Sequence, residues 1–314
     1  MALALGACAG GPRSVSIPTV RDPRLAASQA TQNGEWAQAA HYWQLVFEES
    51  EHEDLEACLE SAIASQHLGA LDDAINTIRC GLEEDGANPD LLALKGDVLV
   101  GLGFRRSAES CYERCLELEP DRIDVLCSLG HLRLSLDREQ AAVVPLQLAL
   151  DLGCDKLSTR EHLAQAYRES GEPVRAWGLY VSRMDLEPLA SSEFVLEAAN
   201  LALNPKVSLA HPDSKALALL WLESSLSLEP GRTKLQFQRG VILEALCDEQ
   251  AAVDSYRRAI EADPDFLPAL TNLALLYADL GHEGPCREMV ARSIAIEWNR
   301  GRRVALQQLL EQFE

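Results

Sequence analysis

The sequence is poor in aromatic residues, in basic residues and in long apolar runs. Aromatic side chains make up 5% of the 314 residues, and 28 Lys and Arg stand against 49 Asp and Glu, which gives a formal net charge of −21. Nucleic-acid binding depends on clustered Lys and Arg, so this charge argues against a nucleic-acid partner. No segment approaches the roughly 20 consecutive apolar residues that a membrane-spanning helix needs.

Sequence patterns of catalysis and of cofactor binding are also missing. We find no Ser-His-Asp order, no nucleotide-binding glycine loop and no HExxH motif, and the seven histidines are scattered. Cys127 and His131 lie four residues apart, as do Cys111 and Cys115, but no second pair at metal-binding spacing accompanies either. We therefore predict no enzyme activity, no cofactor and no metal site. The alternation of apolar and polar residues that is typical of strands is not sustained anywhere in the sequence. We therefore predict an all-α fold.

A recurring pattern of small and large apolar residues is what the sequence does contain. Between residues 89 and 122 these residues recur at three- and four-residue steps, a glycine interrupts them once and a proline ends them, which predicts a helix hairpin. The positions are Leu92, Gly96, Leu99, Gly103, Ala108, Tyr112, Cys115 and Pro120. The two following units keep the same phase, at Leu126, Leu129, Gly130, Ala142, Leu146 and Ala149, and at Leu163, Ala164, Tyr167, Gly171, Ala176, Tyr180 and Pro188.

This order of residues resembles the tetratricopeptide repeat (TPR), a helix hairpin with a period of roughly 34 residues. Small residues such as Gly96 let the two helices approach, and Tyr112 or Tyr180 fills the hollow that remains. A single hairpin cannot bury its apolar face, so neighbouring hairpins must stack. The resemblance implies a right-handed α-solenoid of about eight TPR hairpins with a C-terminal capping helix.

The pattern also divides the chain. We predict a lipobox-like start and flexible tether at residues 1–19 and the TPR solenoid at 20–314. Its units are 20–54, 55–88, 89–122, 123–156, 157–190, 191–232, 233–266 and 267–300, followed by a capping helix at 301–314. The unit 191–232 carries an insertion at 204–214, which we expect to project from an edge of the solenoid. The sequence leaves two explanations of this insertion open: it contacts a partner, or it arose by neutral drift in a loop that tolerates changes of length.

The N-terminal sequence Leu5-Gly6-Ala7-Cys8 resembles the lipobox of bacterial lipoproteins, in which a lipid is attached to the cysteine. The resemblance implies lipidation of Cys8, an outer-membrane anchor and a periplasmic location. Only seven residues precede Cys8 and none is Lys or Arg, so this interpretation requires a signal-peptide start upstream of Met1. The alternative is a cytoplasmic protein with a disordered N-terminus, which the thiols of the folded part favour because an oxidising compartment suits them less well.

In the TPR family the first helix of each hairpin lines a concave groove, and the resemblance carries this role onto a defined set of residues. These predicted groove residues are Leu59, Ile63, Gln66, Asp90, Ala93, Asp97, Val100, Asp124, Cys127, His131, Leu134, Glu161, Gln165, Arg168, Lys234, Phe237, Val241, Glu244, Thr271 and Leu275. Because the set is mainly acidic and apolar, we expect a protein or peptide partner with basic and apolar residues.

The function that follows from the resemblance is that of a non-catalytic scaffold for protein–protein interaction, in a bacterial envelope assembly. The alternative is a cytoplasmic TPR adaptor or co-chaperone-like module. Membrane contact is expected only through a lipid on Cys8, and the sequence leaves the oligomeric state open.

Overall fold

The computed structural model describes residues 21–154, 156–186, 191–297 and 299–311, and within these ranges every regular element is an α-helix. The eighteen helices of the described residues are α1 (Pro23–Asn33), α2 (Trp36–Glu49), α3 (Leu55–His67), α4 (Leu71–Glu84), α5 (Pro89–Gly101), α6 (Arg105–Leu118), α7 (Ile123–Leu134), α8 (Glu139–Asp151), α9 (Leu157–Glu169), α10 (Pro173–Leu186), α11 (Ser192–Ala202), α12 (Pro205–Ala210), α13 (Ser214–Leu228), α14 (Thr233–Ala245), α15 (Glu249–Ala262), α16 (Leu267–Asp279), α17 (Glu283–Ile296) and α18 (Arg300–Glu311). The prediction of an all-α fold built from helix hairpins is confirmed. The predicted tether at 1–19, with Cys8, lies outside the described residues, as do the last residues of the predicted capping helix.

The chain divides into two compact units, Met1–Cys154 and Asp155–Glu314. In the described part of the first unit, α1 to α8 form four hairpins in which each helix packs against the next. In the second unit, α9 to α18 form four further hairpins, the short helix α12 and the C-terminal helix α18.

Polar side chains fix where several first helices begin. Asp22, Asp54 and Asn88 accept hydrogen bonds from backbone N–H groups three residues further on, at 3.2, 3.1 and 3.0 Å. Such side chains satisfy N–H groups that have no partner within the helix. Pro23 and Pro89 follow directly, at a position where proline fits the helix and loses no hydrogen bond. These residues fix where the first helix of each of the first three hairpins begins.

The turn inside a hairpin requires a left-handed backbone. In seven hairpins of the described chain the turn contains a residue with positive φ, namely Gly34, Gly69, Gly103, Asp137, Gly171, Cys247 and Gly281. Glycine adopts this conformation without steric cost, whereas a side chain there is strained. Five of the seven positions are glycine, so the turn chemistry explains why the apolar pattern is interrupted at the same point of each unit.

Glycines of the first helices lie directly under large side chains of the second helices. Gly96 faces the ring of Tyr112, Gly130 faces Leu146 and Gly240 faces the ring of Tyr256. All three large side chains are buried. The predicted pairing of small and large residues within a hairpin is confirmed, and it sets how closely the two helices approach.

The insertion at 204–214 differs from the sequence-based expectation of a projecting loop. It contains α12, whose Val207 is fully buried, and α12 contacts α10, α11 and α13. Asn204 caps this helix by accepting from the backbone N–H of Lys206 at 3.0 Å, and Pro205 occupies its first turn. Asn-Pro therefore acts here as a helix start rather than as loop punctuation. Leu209 remains 86% exposed.

Candidate functional site

The predicted groove residues all lie on first helices of hairpins, on α3, α5, α7, α9, α14 and α16. Two of them are wrong as contact residues, because Ala93 and Leu134 are only 6% and 8% exposed. Ala93 packs into a cluster with Tyr112 and Leu129 of its own and the next hairpin. A side chain buried in this way presents nothing to a partner, so the set of candidate contacts is shorter than predicted.

A hollow of about 300 Å³ lies in the first unit between α5, the start of α6, and α7. Its lining residues are Asp97, Val100, Arg105, Tyr112, Ser128, His131, Leu132 and Ser135. Three of the predicted groove residues, Asp97, Val100 and His131, meet there. The structure thus brings together one acid, one exposed apolar side chain and one imidazole from two neighbouring hairpins.

Asp97 is held by a tyrosine that sequence reasoning treated only as an apolar filler. The hydroxyl of Tyr112 donates to Oδ1 of Asp97 at 2.6 Å. Desolvation in the hollow raises the pKa of Asp97, and the hydrogen bond from Tyr112 acts in the opposite direction. Burial, followed by the nearby Asp97 carboxylate, raises the pKa of Tyr112, so its hydroxyl is a protonated donor at neutral pH. Asp97 is exposed as a residue, and the hydrogen bond from Tyr112 orients its carboxylate.

The other two acids of this region face an arginine of the same chain. Arg122 contacts Asp90 at 2.6 Å and Asp124 at 3.2 Å, and it also reaches Glu119 at 3.3 Å. Partial burial lowers the pKa of Arg122, but Asp90 and Asp124 together outweigh this effect and raise it. Asp90 and Asp124 therefore each have a cationic neighbour, whereas the hydrogen-bond partner of Asp97 is a neutral phenol. Of the three predicted acids Asp90, Asp97 and Asp124, only Asp97 lines the hollow.

The second unit repeats the contact between tyrosine and carboxylate. The hydroxyl of Tyr180 donates to Glu197 at 2.7 Å, and that of Tyr256 donates to Glu244 at 2.8 Å. Arg168, a predicted groove residue, pairs with Glu197 at 3.0 Å. Each tyrosine belongs to the second helix of a hairpin and each acid to a first helix. The signal that sequence reasoning missed is a tyrosine at the same place in three hairpins.

The remaining predicted groove residues do not gather into one site. Leu59 and Ile63 pack against the core of the first unit, and Phe237 and Val241 pack against a core cluster of the second. Lys234, Glu244 and Leu275 are exposed. The other members, Gln66, Cys127, Glu161, Gln165 and Thr271, are half-buried. The hollow around Asp97 is therefore the candidate site of the first unit, because three predicted groove residues line it.

The described ranges lack two further features, a cluster of metal ligands and a membrane-spanning helix. No group of three or more His, Cys, Asp or Glu side chains that could hold a metal ion occurs there. None of the helices described is both long enough and apolar enough to cross a bilayer.

Comparison with known proteins identifies a known repeat in two segments of the chain. A sequence model of the tetratricopeptide repeat matches residues 89–122 and 233–266, which are α5–α6 and α14–α15 with their turns. Both segments are therefore tetratricopeptide repeats. The chain's all-α repeat solenoid is the fold that the sequence predicted. No curated protein sequence matches the chain.

Solved structures share the fold of this TPR protein at low sequence identity. A tetratricopeptide repeat protein from Parabacteroides merdae is 15% identical, with a TM-score of 0.51, over 81% of this chain and 97% of that chain. The Naa15/Naa10 structure bound to HypK-THB is 16% identical, with a TM-score of 0.51, over 94% of this chain and 44% of that chain. MamA is 14% identical, with a TM-score of 0.48, over 53% of this chain and 90% of that chain. The TPR fold supports a scaffold for protein–protein interaction.

Proposed function

We propose that this TPR protein is a non-catalytic scaffold that binds a segment of a partner protein along the first helices of its hairpins, with the Asp97 hollow as a principal contact. The observation that carries the proposal is the convergence of Asp97, Val100 and His131 in one hollow of the first unit. Asp97 is oriented by Tyr112, and Val100 is 40% exposed beside it. An acid next to an accessible apolar side chain suits a partner segment that carries both basic and apolar residues.

A basic side chain is the partner group that the hollow fits best. A charge-assisted hydrogen bond from Lys or Arg to a carboxylate is stronger than one between neutral groups, and Tyr112 keeps the Asp97 carboxylate in one orientation before binding. The net charge of −21 attracts a basic segment over longer distances. Arg105 at the rim of the hollow is placed to bind a carbonyl or carboxylate that flanks the basic residue.

Replacement of the Asp97 charge tests the proposed site. Asp97→Asn keeps an oxygen that accepts from Tyr112 but removes the charge, so we expect roughly 3- to 10-fold weaker binding of basic peptides. The probes are synthetic peptides of equal length with Lys and Leu at varied spacings, measured by fluorescence anisotropy. Asp72→Asn, an exposed acid on the second helix α4, is the matched control. Equal loss in both variants, or equal binding of peptides in which Glu replaces Lys, would contradict the proposal.

Acidification should weaken the same binding. The ionised form of Asp97 binds the basic peptide, and desolvation raises the pKa of that carboxyl. Binding is therefore fully present well above this raised pKa and is lost as the pH falls through it, at a pH higher than for an ordinary aspartate. In Asp97→Asn this component of the pH dependence should disappear.

We also propose that the scaffold serves a bacterial envelope assembly and is anchored to the outer membrane, facing the periplasm, through a lipid on Cys8. Only the sequence Leu5-Gly6-Ala7-Cys8 supports this, and Cys8 lies outside the described residues. When cells that express the protein are supplied with a clickable fatty acid, the protein should become labelled. The variant Cys8→Ala should carry no label. Absence of label from the unaltered protein would favour the cytoplasmic adaptor instead.

A further inference from the structure

We propose that Cys127 and Cys154 are an oxidation site at which the chain forms a reversible intramolecular disulfide. Their Sγ atoms lie 3.7 Å apart, with one thiol placed to donate to the other sulfur. The sulfurs of a disulfide are about 2.05 Å apart, so side-chain rotation over a short distance closes the bond. The proposal does not depend on the binding function of the scaffold.

The local fold holds the two thiols together. Cys127 lies on α7, and Cys154 lies in the turn that follows α8. Gly153 in this turn has a φ of +92°, and the N–H of Cys154 donates to the carbonyl of Ala149 at 2.9 Å. Cys154 belongs to an apolar cluster with Leu126, against which Cys127 packs. The backbone therefore places the second thiol beside α7 before any oxidation.

The two thiols differ in access, which fixes the order of the reaction. Cys127 is half-buried, whereas Cys154 is 5% exposed. With a small disulfide such as glutathione disulfide as oxidant, the Cys127 thiolate attacks one sulfur and releases glutathione, which takes up a proton. The Cys154 thiolate then attacks Sγ of Cys127 and releases the second glutathione. The protein loses two hydrogen atoms, and the oxidant is reduced to two thiols.

The proposed disulfide lies next to the candidate binding face. Cys127 lies on α7 between Asp124 and His131, and α7 also supplies Ser128 to the hollow. A bond from Cys127 to the turn after α8 closes a loop between residues 27 positions apart in the sequence. Such a loop restricts the unfolded chain and stabilises the fourth hairpin of the first unit.

The test uses the full-length protein, reduced and then equilibrated with glutathione disulfide. Proteolysis without reductant followed by mass spectrometry should show peptides containing Cys127 and Cys154 joined and lacking two hydrogens. The oxidised protein should melt roughly 5 to 10 °C higher than the reduced one. Cys127→Ser should lose both effects, whereas Cys80→Ser, a half-buried thiol elsewhere in the same unit, should keep them.

Three outcomes would overturn the proposal. In the first, oxidised unaltered protein carries glutathione on Cys127 while Cys154 stays a thiol. In the second, both thiols are recovered unmodified after oxidation and unfolding. In the third, the joined peptides come from two chains, which would appear as a covalent dimer whose amount rises with protein concentration.

Discussion

Gly96→Ala is expected to lower the free energy of unfolding by about 2 to 3 kcal/mol, because a single added methyl group has no room. A Cβ atom at this position would stand 2.3 Å from Cε1 and 2.6 Å from Cδ1 of Tyr112. Tyr112 is 2% exposed, and its hydroxyl is bonded to Asp97. The ring therefore cannot move aside without opening the hairpin and lengthening that hydrogen bond.

The control for this variant is the same change where space is open. Gly178 lies inside α10, and nothing stands within 4 Å of the Cβ it would gain. Gly178→Ala is expected to raise the free energy of unfolding by about 0.5 to 1 kcal/mol, because alanine favours a helix. Urea unfolding followed by circular dichroism measures both variants. Equal stability of Gly96→Ala and the unaltered protein would show that Tyr112 is not packed on Gly96.

Glu109→Ala is the second substitution with a large expected effect. Glu109 is 8% exposed on α6 and accepts from Arg133 at 2.9 Å and from Arg138 at 2.7 Å. The acid thus joins the third hairpin to the fourth. Its removal leaves two guanidinium groups without this acceptor, and Arg133 is only 17% exposed. We expect a loss of about 2 to 3 kcal/mol, below the usual range for a fully buried pair because Arg138 is half exposed.

An exposed glutamate of the same unit provides the comparison for Glu109. Glu119 pairs with Arg122 at 3.3 Å, but its side chain is 52% exposed. Glu119→Ala is expected to cost less than about 0.5 kcal/mol, because water screens such a pair. Urea unfolding of the two variants at equal salt measures the difference. Similar small losses in both would mean that the Glu109 network does not hold the hairpins together.

Much of the fold could be predicted because each hairpin repeats the same local requirements. In the third hairpin Asn88 and Pro89 start the first helix, Gly96 and Tyr112 must meet, and Gly103 must turn the chain. All of these requirements are visible in one repeat length of sequence. The helix α12 was missed because Asn204-Pro205 is typical of both a loop and a helix start, and only the burial of Val207 distinguishes them.

The site could be predicted only in part. The resemblance to the TPR family identified α5 and α7 and three of the residues that meet in the hollow. It did not show that Arg122 pairs with Asp90 and Asp124, because this arginine comes from the end of one repeat and reaches the start of that repeat and of the next. The hydrogen bond from the Tyr112 hydroxyl was missed for a related reason. A tyrosine at this position fits both an apolar side chain that fills a gap and a hydrogen-bond donor, and the sequence does not distinguish the two.

The most direct test of the central claim is to find where a bound peptide lies. A photoreactive amino acid in place of Val100, on the first helix α5, or of Val144, on the second helix α8, would be irradiated with a Lys- and Leu-containing peptide that binds. Val144 is 70% exposed and Val100 only 40%, so exposure alone favours labelling at Val144. The proposed binding mode predicts cross-links at Val100 and none at Val144. Cross-links at Val144 with none at Val100 would contradict it.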